Sequence, residues 1–109
     1  MSGETGARSG FPFWHGTALV NLGWAEAHGG DPAGGLARLR EGIAVFEATG
    51  ARVQLANWYG LLAEVLHLTG QPCAARAACD TAADWARRTG DLFFLPRIER
   101  TRAAVSRAS

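Results

Sequence analysis

The chain has 109 residues, of which 48% are hydrophobic and 19% are charged, and its formal net charge is +1. These values fit one small globular domain and exclude both a disordered chain and a protein whose overall charge would attract nucleic acid or a membrane surface. No apolar run approaches the roughly 18 residues that span a bilayer, and the first residues contain no signal-peptide pattern. We therefore expect a cytoplasmic protein.

The first helix is predicted to start near Pro12 and to end at Ala27. Residues 1–10 are small and polar and are predicted to form a flexible lead, so the helical domain is expected over residues 11–109. Proline is tolerated in the first turn of a helix, where its missing N–H costs little. Gly30 follows the helix and helps to end it. Its apolar residues Leu19, Leu22 and Ala25, with Val20 and Trp24 beside them, broadly follow a helical spacing.

A second helix is predicted directly after the Gly30 turn. Asp31 is a good N-cap residue because its carboxylate can accept hydrogen bonds from the free amides of the first turn, and Pro32 suits the first helical position. Gly50 can adopt the left-handed conformation that closes a helix. The helix carries an apolar stripe at the spacing of an amphipathic helix: Leu36, Leu39, Ile43 and Phe46.

Helix three is predicted from about Val53 to Leu68, and helix four from Pro72 to about Arg88. Helix three has the widest apolar face in the chain, formed by Leu55, Trp58, Tyr59, Leu62, Val65 and Leu66. Helix four carries small residues where a helix usually carries bulky ones: Ala75, Ala78, Cys79, Ala82 and Ala83. Such a helix can approach its neighbour closely, which suits stacking between repeats.

A fifth helix is predicted to begin between Leu92 and Pro96, with Asp91 as its cap. Its apolar stripe is thin, with Ile98, Thr101, Arg102 and Val105. By the repeat pattern we expect it to be the first half of a third unit whose second half is absent. Because solenoid repeats ordinarily need about three copies and polar ends, we expect marginal stability or self-association through the open C-terminal end of the stack.

The chain repeats itself at an offset of forty residues. Six pairs of residues at this offset are identical, namely Leu22 and Leu62, Gly30 and Gly70, Pro32 and Pro72, Ala37 and Ala77, Thr49 and Thr89, and Gly50 and Gly90. Most of them lie at predicted helix ends, where backbone geometry dictates the residue. The pattern predicts an all-α solenoid of helical hairpins with about two and a half repeats.

The repeat resembles the tetratricopeptide (TPR) family. In the first unit the resemblance rests on the segments Asn21-Leu22-Gly23 and Gly30-Asp31 and on Gly35, Leu36 and Gly42. In the second unit it rests on Tyr59, Leu62, Ala63, Gly70, Ala75 and Ala82. The period is longer than the usual 34 residues, Ala63 stands where glycine is commoner, and Gly35 and Gly42 stand where alanine is commoner. The resemblance implies a fold of stacked helical hairpins.

From Gly10 to about Val105 the chain is also similar to the C-terminal repeat region of large bacterial regulators. Those proteins join an adenylate/guanylate cyclase domain or a LuxR-type DNA-binding domain to an ATPase module and a TPR-like tail. The cyclase aspartates, a phosphate-binding loop and a helix-turn-helix cannot be located in this sequence. The resemblance therefore implies a detached regulatory tail and carries over no catalytic residue.

Reactive or ligand-binding chemistry is weakly indicated. The glycine-rich segment 28–35 lacks both a preceding strand and the ending of a P-loop, so a turn is favoured over a phosphate site. The histidines have no metal-ligand spacing, and Cys73 and Cys79 fit packing better than nucleophilic catalysis. We expect no enzyme activity, no cofactor and no metal site. The histidines are His15, His28 and His67.

The C-terminal quarter is basic, with only Asp91 and Glu99 as acidic residues. A patch of this kind can meet phosphates or an acidic partner, but without an aromatic or groove-entering motif a solvated helix face is favoured, and no nucleic-acid partner is expected. The patch consists of Arg87, Arg88, Arg97, Arg100, Arg102 and Arg107.

The TPR resemblance implies that the first helix of each unit lines a concave surface that binds a protein or peptide partner. A non-catalytic interaction or scaffold module is the favoured function. A detached tail of a nucleotide cyclase or LuxR-type regulator is the alternative, and a small-molecule sensor using a pocket between the helices is a third reading. Transferred position by position, the binding surface comprises Trp24, His28, Asn57, Glu64, His67, Arg97 and Arg100.

Overall fold

The structure is a computed structural model that describes the backbone of residues 2–50, 52 and 54–108 and the side-chain surroundings of 14–50, 52 and 54–107. Over these residues the chain is all-α, as predicted, and contains no strand. The elements in chain order are α1 (Ser2–His28), α2 (Pro32–Ala48), α3 (Leu55–Leu68), α4 (Pro72–Thr89), a 3-10 turn (Leu92–Phe94) and α5 (Leu95–Ala108).

The first helix begins earlier than predicted. α1 starts at Ser2, so Pro12 lies inside the helix and not in its first turn. The prediction used Pro12 as a start signal, but Glu4, Ala7 and Arg8 have high helix propensity and continue the helix upstream of it. The boundary predicted between a lead over residues 1–10 and a helical domain therefore does not coincide with a helix end.

Glycines in the left-handed conformation punctuate the chain every twenty residues. Gly30, Gly50, Gly70 and Gly90 have φ of 115°, 80°, 75° and 79°, a region that disfavours residues with a side chain. The segment around Gly30 is therefore a turn, as the sequence indicated. Asp31 caps α2, because its Oδ1 accepts a hydrogen bond of 3.0 Å from the Gly34 amide.

The start of α5 falls within the predicted range, but the predicted cap does not form. Asp91 has no side-chain hydrogen bond to the turn that follows it. Its carboxylate accepts a hydrogen bond of 3.0 Å from the Thr89 hydroxyl instead. The 3-10 turn that precedes α5 separates Asp91 from the first amides of the helix, which accounts for the difference.

α1 and α2 form an antiparallel hairpin in which glycines bring the two backbones together. A Cβ atom added at Gly23 would lie 2.6 Å from the Gly35 carbonyl oxygen and 2.7 Å from the Leu39 nitrogen. One added at Gly16 would lie 2.9 Å from the Gly42 oxygen. No real Cβ atom fits at such distances, so glycine is required there. The predicted apolar stripe of α2 is buried in this hairpin.

α3 and α4 form the second hairpin, and α3 is the central helix of the molecule. It packs against α1, α2, α4 and α5, whereas α1 packs only against α2 and α3 among the described residues. Leu62 on α3 is accordingly 9% exposed, but Leu22 on α1 is 52% exposed. Helical spacing alone therefore did not identify the buried face of α1, because no described element covers Leu22. The small residues predicted to line α4 are buried.

Candidate functional site

α1, α3 and α5 lie side by side, with α3 in the middle, and together they form one continuous surface. A groove of about 370 Å³ opens along this surface, between the C-terminal half of α3 and α5. Its walls combine charged, imidazole and apolar groups. The residues that line it are His28, Glu64, His67, Leu68, Arg97, Arg100, Thr101 and Ala104.

A second, smaller depression of about 190 Å³ adjoins the groove, and Arg97 lines both. Its lining residues are Asn21, Trp24, Asn57, Leu61 and Arg97. The seven residues predicted from the sequence as a concave surface all line one or the other depression. The structure therefore brings the predicted residues together, although binding by them remains a prediction.

Glu64 connects the three helices through its two carboxylate oxygens. Oε1 accepts a hydrogen bond of 3.1 Å from the Trp24 indole N–H on α1. Oε2 accepts one of 2.7 Å from Nε of Arg97 on α5, and the Arg97 Nη2 donates to Oε1 at 3.2 Å. Only 19% of the Glu64 side chain is exposed. The hydrogen bond to Glu64 raises the pKa of Arg97, against a smaller lowering by burial.

The Trp24 indole has the Arg97 guanidinium and the His28 imidazole as neighbours. The Arg97 guanidinium is 6.0 Å from the centroid of its ring, which is a cation–π distance. The imidazole of His28, one helical turn along α1, lies 4.2 Å from it in a tilted arrangement. Trp24 is therefore half-buried within a polar network on the surface, in contrast to Trp58, which packs in the core.

Arg100 differs from Arg97 although both lie on α5 and line the same groove. Arg100 is exposed and makes no hydrogen bond or ion pair with any residue that the structure describes. Arg97 is neutralised by Glu64, so Arg100 leaves the groove with one net positive charge before any histidine is protonated. This guanidinium can donate hydrogen bonds to an arriving group.

The sequence prediction missed three groove residues, Leu68, Thr101 and Ala104. Leu68 follows Glu64 by one helical turn and is 45% exposed. Thr101 and Ala104 follow Arg97 and Arg100 by four residues, a spacing that places side chains on the same helix face. Helical periodicity applied to the predicted residues would therefore have found all three, whereas the TPR pattern alone did not name them.

The two cysteines are both free. Cys79 is buried in the core, as the packing interpretation predicted, whereas Cys73 is exposed and the interpretation is wrong for it. Burial raises the pKa of the Cys79 thiol, the nearby charge of Arg102 opposes this, and Asp80 contributes a further rise. Among the described residues, no group of three or more metal-ligating side chains is arranged to hold a metal ion.

The predicted arginine patch is divided by the fold. Arg88 pairs with Asp84 at 3.0 Å, and Arg102 pairs with Asp80 at 2.8 Å. Arg97 belongs to the Glu64 network. Three of the six arginines are thus engaged with acidic groups, and the patch is not a continuous free basic surface.

In the part of the chain that the structure describes, no helix is long and apolar enough to cross a membrane. The chain matches no protein family for which a sequence model was compared, and no solved structure resembles it significantly. It is 32% identical over 90 residues to an uncharacterized protein of Rhizobium meliloti (strain 1021). That alignment covers 83% of this chain but 9% of the relative, so the chain spans a small part of the length of the curated protein it matches.

Proposed function

We propose that this chain is a non-catalytic protein-interaction module of the TPR-like class, acting in the cytoplasm. The forty-residue repeat, the alternation of helices joined by left-handed glycine turns and the packing of α1, α3 and α5 side by side support a solenoid of helical hairpins. The small residues that carry the TPR resemblance support it too. Gly35, Gly42, Ala75 and Ala82 are all buried at hairpin interfaces.

One observation carries the functional part of the proposal. The groove and its neighbouring depression lie on the surface made by the first helix of each unit and gather the seven predicted residues. Glu64 holds the Trp24 indole and the Arg97 guanidinium in a fixed arrangement on this surface. A pre-ordered polar surface beside exposed apolar groups such as Leu68 suits recognition of a protein or peptide segment.

The test is affinity capture from native cells with three forms of the chain. We expect the wild type to retain a partner that is lost when Glu64 and His67 are both replaced by alanine. The matched control replaces Arg40 and Glu41, which are exposed on α2 outside the groove. Circular dichroism checks that each variant is folded. Equal capture by the wild type and both variants would remove the groove from the proposal.

A second candidate is a regulatory tail that works through the other domains of a large regulator of the nucleotide cyclase or LuxR type. The observation that favours it is the similarity of most of this chain to a small part of a much longer protein. In-frame sequence encoding a cyclase, ATPase or DNA-binding domain beside this gene would support this candidate. An independent promoter and ribosome-binding site directly before the gene would support the free-standing module.

A further inference from the structure

We propose that the groove recognises an acidic segment of a partner protein, in which one Asp or Glu carboxylate binds Arg100 and a neighbouring apolar side chain packs against Leu68 and Ala104. This inference rests on the proposed function and specifies its ligand. The carboxylate is assigned to a side chain, and a free chain end is the alternative that the test below distinguishes.

Charge complementarity is the basis for the choice of an acidic partner. The groove contains two guanidinium groups and one carboxylate, and that carboxylate already accepts two hydrogen bonds from Arg97. Arg100 has no such partner among the described residues. An arriving carboxylate can therefore form a charge-assisted pair with Arg100 without displacing an existing bond, whereas a cationic group would be repelled.

Glu64 determines how many carboxylates the groove accepts. Because it neutralises Arg97 at 2.7 Å, only the Arg100 guanidinium is available to the ligand. The Glu64→Gln variant keeps an amide oxygen that can accept the Trp24 indole hydrogen bond but removes the charge that neutralises Arg97. We infer that Glu64 is a specificity determinant, and that its loss converts a site for one carboxylate into a site for two.

The apolar residues that line the groove indicate what the second part of the ligand is. Leu68 is 45% exposed, and Ala104 is half-buried on the opposite side of the groove. Both lie within one or two helical turns of the charged residues, so a leucine-sized side chain adjacent to the acidic residue can reach them. A purely polar acidic segment would leave these apolar groups exposed to water.

The experiment is a nuclear magnetic resonance titration of the labelled protein, followed through the Trp24 indole N–H and the Nε–H signals of Arg97 and Arg100. The probes are short peptides with both ends blocked that carry Glu, Gln or Lys beside leucine, and a fourth peptide that carries Gln and has a free C-terminal carboxylate. We expect the Glu peptide to bind about two- to fivefold more tightly than the Gln peptide, as for an exposed ion pair, and the preference to weaken with added salt.

Three variants locate the effect and test the role of Glu64. Arg100→Gln should abolish the preference for Glu over Gln, and Arg107→Gln, an exposed arginine of α5 outside the groove, should leave it unchanged. Glu64→Gln should increase the affinity for a peptide with two Glu residues, relative to the peptide with one, about two- to fivefold, because Arg97 becomes available. Melting temperatures of the variants show that they are folded.

Several results would overturn the inference. These are equal binding of the Glu and Gln peptides, stronger binding of the Lys peptide, a preference that survives Arg100→Gln, or stronger binding of the peptide with the free chain end. In each of these cases peptide binding at the groove, and hence the proposed function, still stands. If no peptide shifts the groove signals, both the inference and the proposed function fail.

Discussion

In the first hairpin, glycine occupies four positions of the interface between α1 and α2, and in the second hairpin alanine occupies the four positions that lie forty residues later. All eight residues are buried. The corresponding pairs are Gly16 and Ala56, Gly23 and Ala63, Gly35 and Ala75, and Gly42 and Ala82.

The difference indicates that the two hairpins share one repeat pattern but that the helices of the first hairpin lie closer together than those of the second. In the first hairpin a Cβ atom at any of the four positions would collide with the backbone or with atoms beside it in the facing helix. In the second hairpin the methyl groups are present and are accommodated. The first hairpin therefore depends on close backbone contact, and the second on buried methyl groups.

The largest expected effect on stability is the difference between alanine substitutions at two buried helical glycines. Gly23→Ala should destabilise the protein by about 2–3 kcal/mol, because the new methyl forces α1 and α2 apart. Gly60→Ala is the matched control, since its Cβ would meet only the Ile98 Cγ1 at 3.6 Å. It should stabilise the protein by about 0.5–1 kcal/mol through the helix propensity of alanine. Urea denaturation measures both, and the same sign for the two variants would contradict the comparison.

The reciprocal substitution in the second hairpin is expected to have the next largest effect. Ala63→Gly replaces a fully buried alanine by the residue found at position 23. It should cost about 1–2 kcal/mol, from the loss of one buried methyl group and from the low helix propensity of glycine. If Ala63→Gly were neutral in the same denaturation assay, α3 and α4 would be free to close to the separation of the first hairpin.

Two substitutions at helix caps are expected to have smaller effects on stability, and the two effects have opposite signs. Asp31 and Gln71 have nearly the same backbone angles, but only Asp31 makes a side-chain cap. Asp31→Ala should cost about 1 kcal/mol, and Gln71→Asp should add about 0.5–1 kcal/mol by creating the missing cap. Thermal unfolding of the two variants checks this. A Gln71→Asp variant with an unchanged melting temperature would show that the second turn cannot use a cap.

The last expected effect appears only at alkaline pH and concerns the contact between the hairpins. The Tyr59 hydroxyl on α3 donates a hydrogen bond of 2.7 Å to Glu47 on α2. Burial, then this hydrogen bond and the Glu47 charge, raise the pKa of Tyr59 from 10.0 to about 12. The neutral hydroxyl is thus favoured by folding, and its contribution to stability is complete below pH 10 and is lost between pH 10 and about 12.

Tyr59 is the only tyrosine, so its ionisation can be followed by the absorbance of the phenolate. In the folded protein we expect a midpoint near the raised pKa of about 12. Glu47→Gln should move the midpoint partly back towards 10.0, because burial still acts on the phenol. A wild-type midpoint at 10.0 would contradict the contact between α2 and α3.

The helix starts and ends of the repeat were predictable from the sequence because they depend on local backbone chemistry. Glycine after each of the first four helices, Pro32 and Pro72 at helix starts and Asp31 as a cap follow from conformational preferences that do not need the rest of the fold. The stripe of α2 was predictable for the same reason, since periodicity along one helix determines which face is buried.

Features that depend on which helices become neighbours were not predictable. Leu22 and Leu62 are identical in the repeat pattern, but their exposure differs because only α3 has packed elements on both sides. The bonds of Glu64 to Trp24 and Arg97 join residues 40 and 33 positions apart in the chain. The sequence placed these residues in one set through the TPR resemblance but did not indicate that Glu64 neutralises Arg97.

The central claim is that the surface of α1, α3 and α5, and not the outer surface of α2 and α4, contacts a partner. Site-specific photo-crosslinking in native cells tests it directly, with a photoreactive residue in place of Leu68 in the groove or of exposed Ala77 on α4. We predict a discrete crosslinked protein from position 68 that is weakened by Arg100→Gln, and none from position 77. A partner crosslinked from position 77 and not from position 68 would contradict the account.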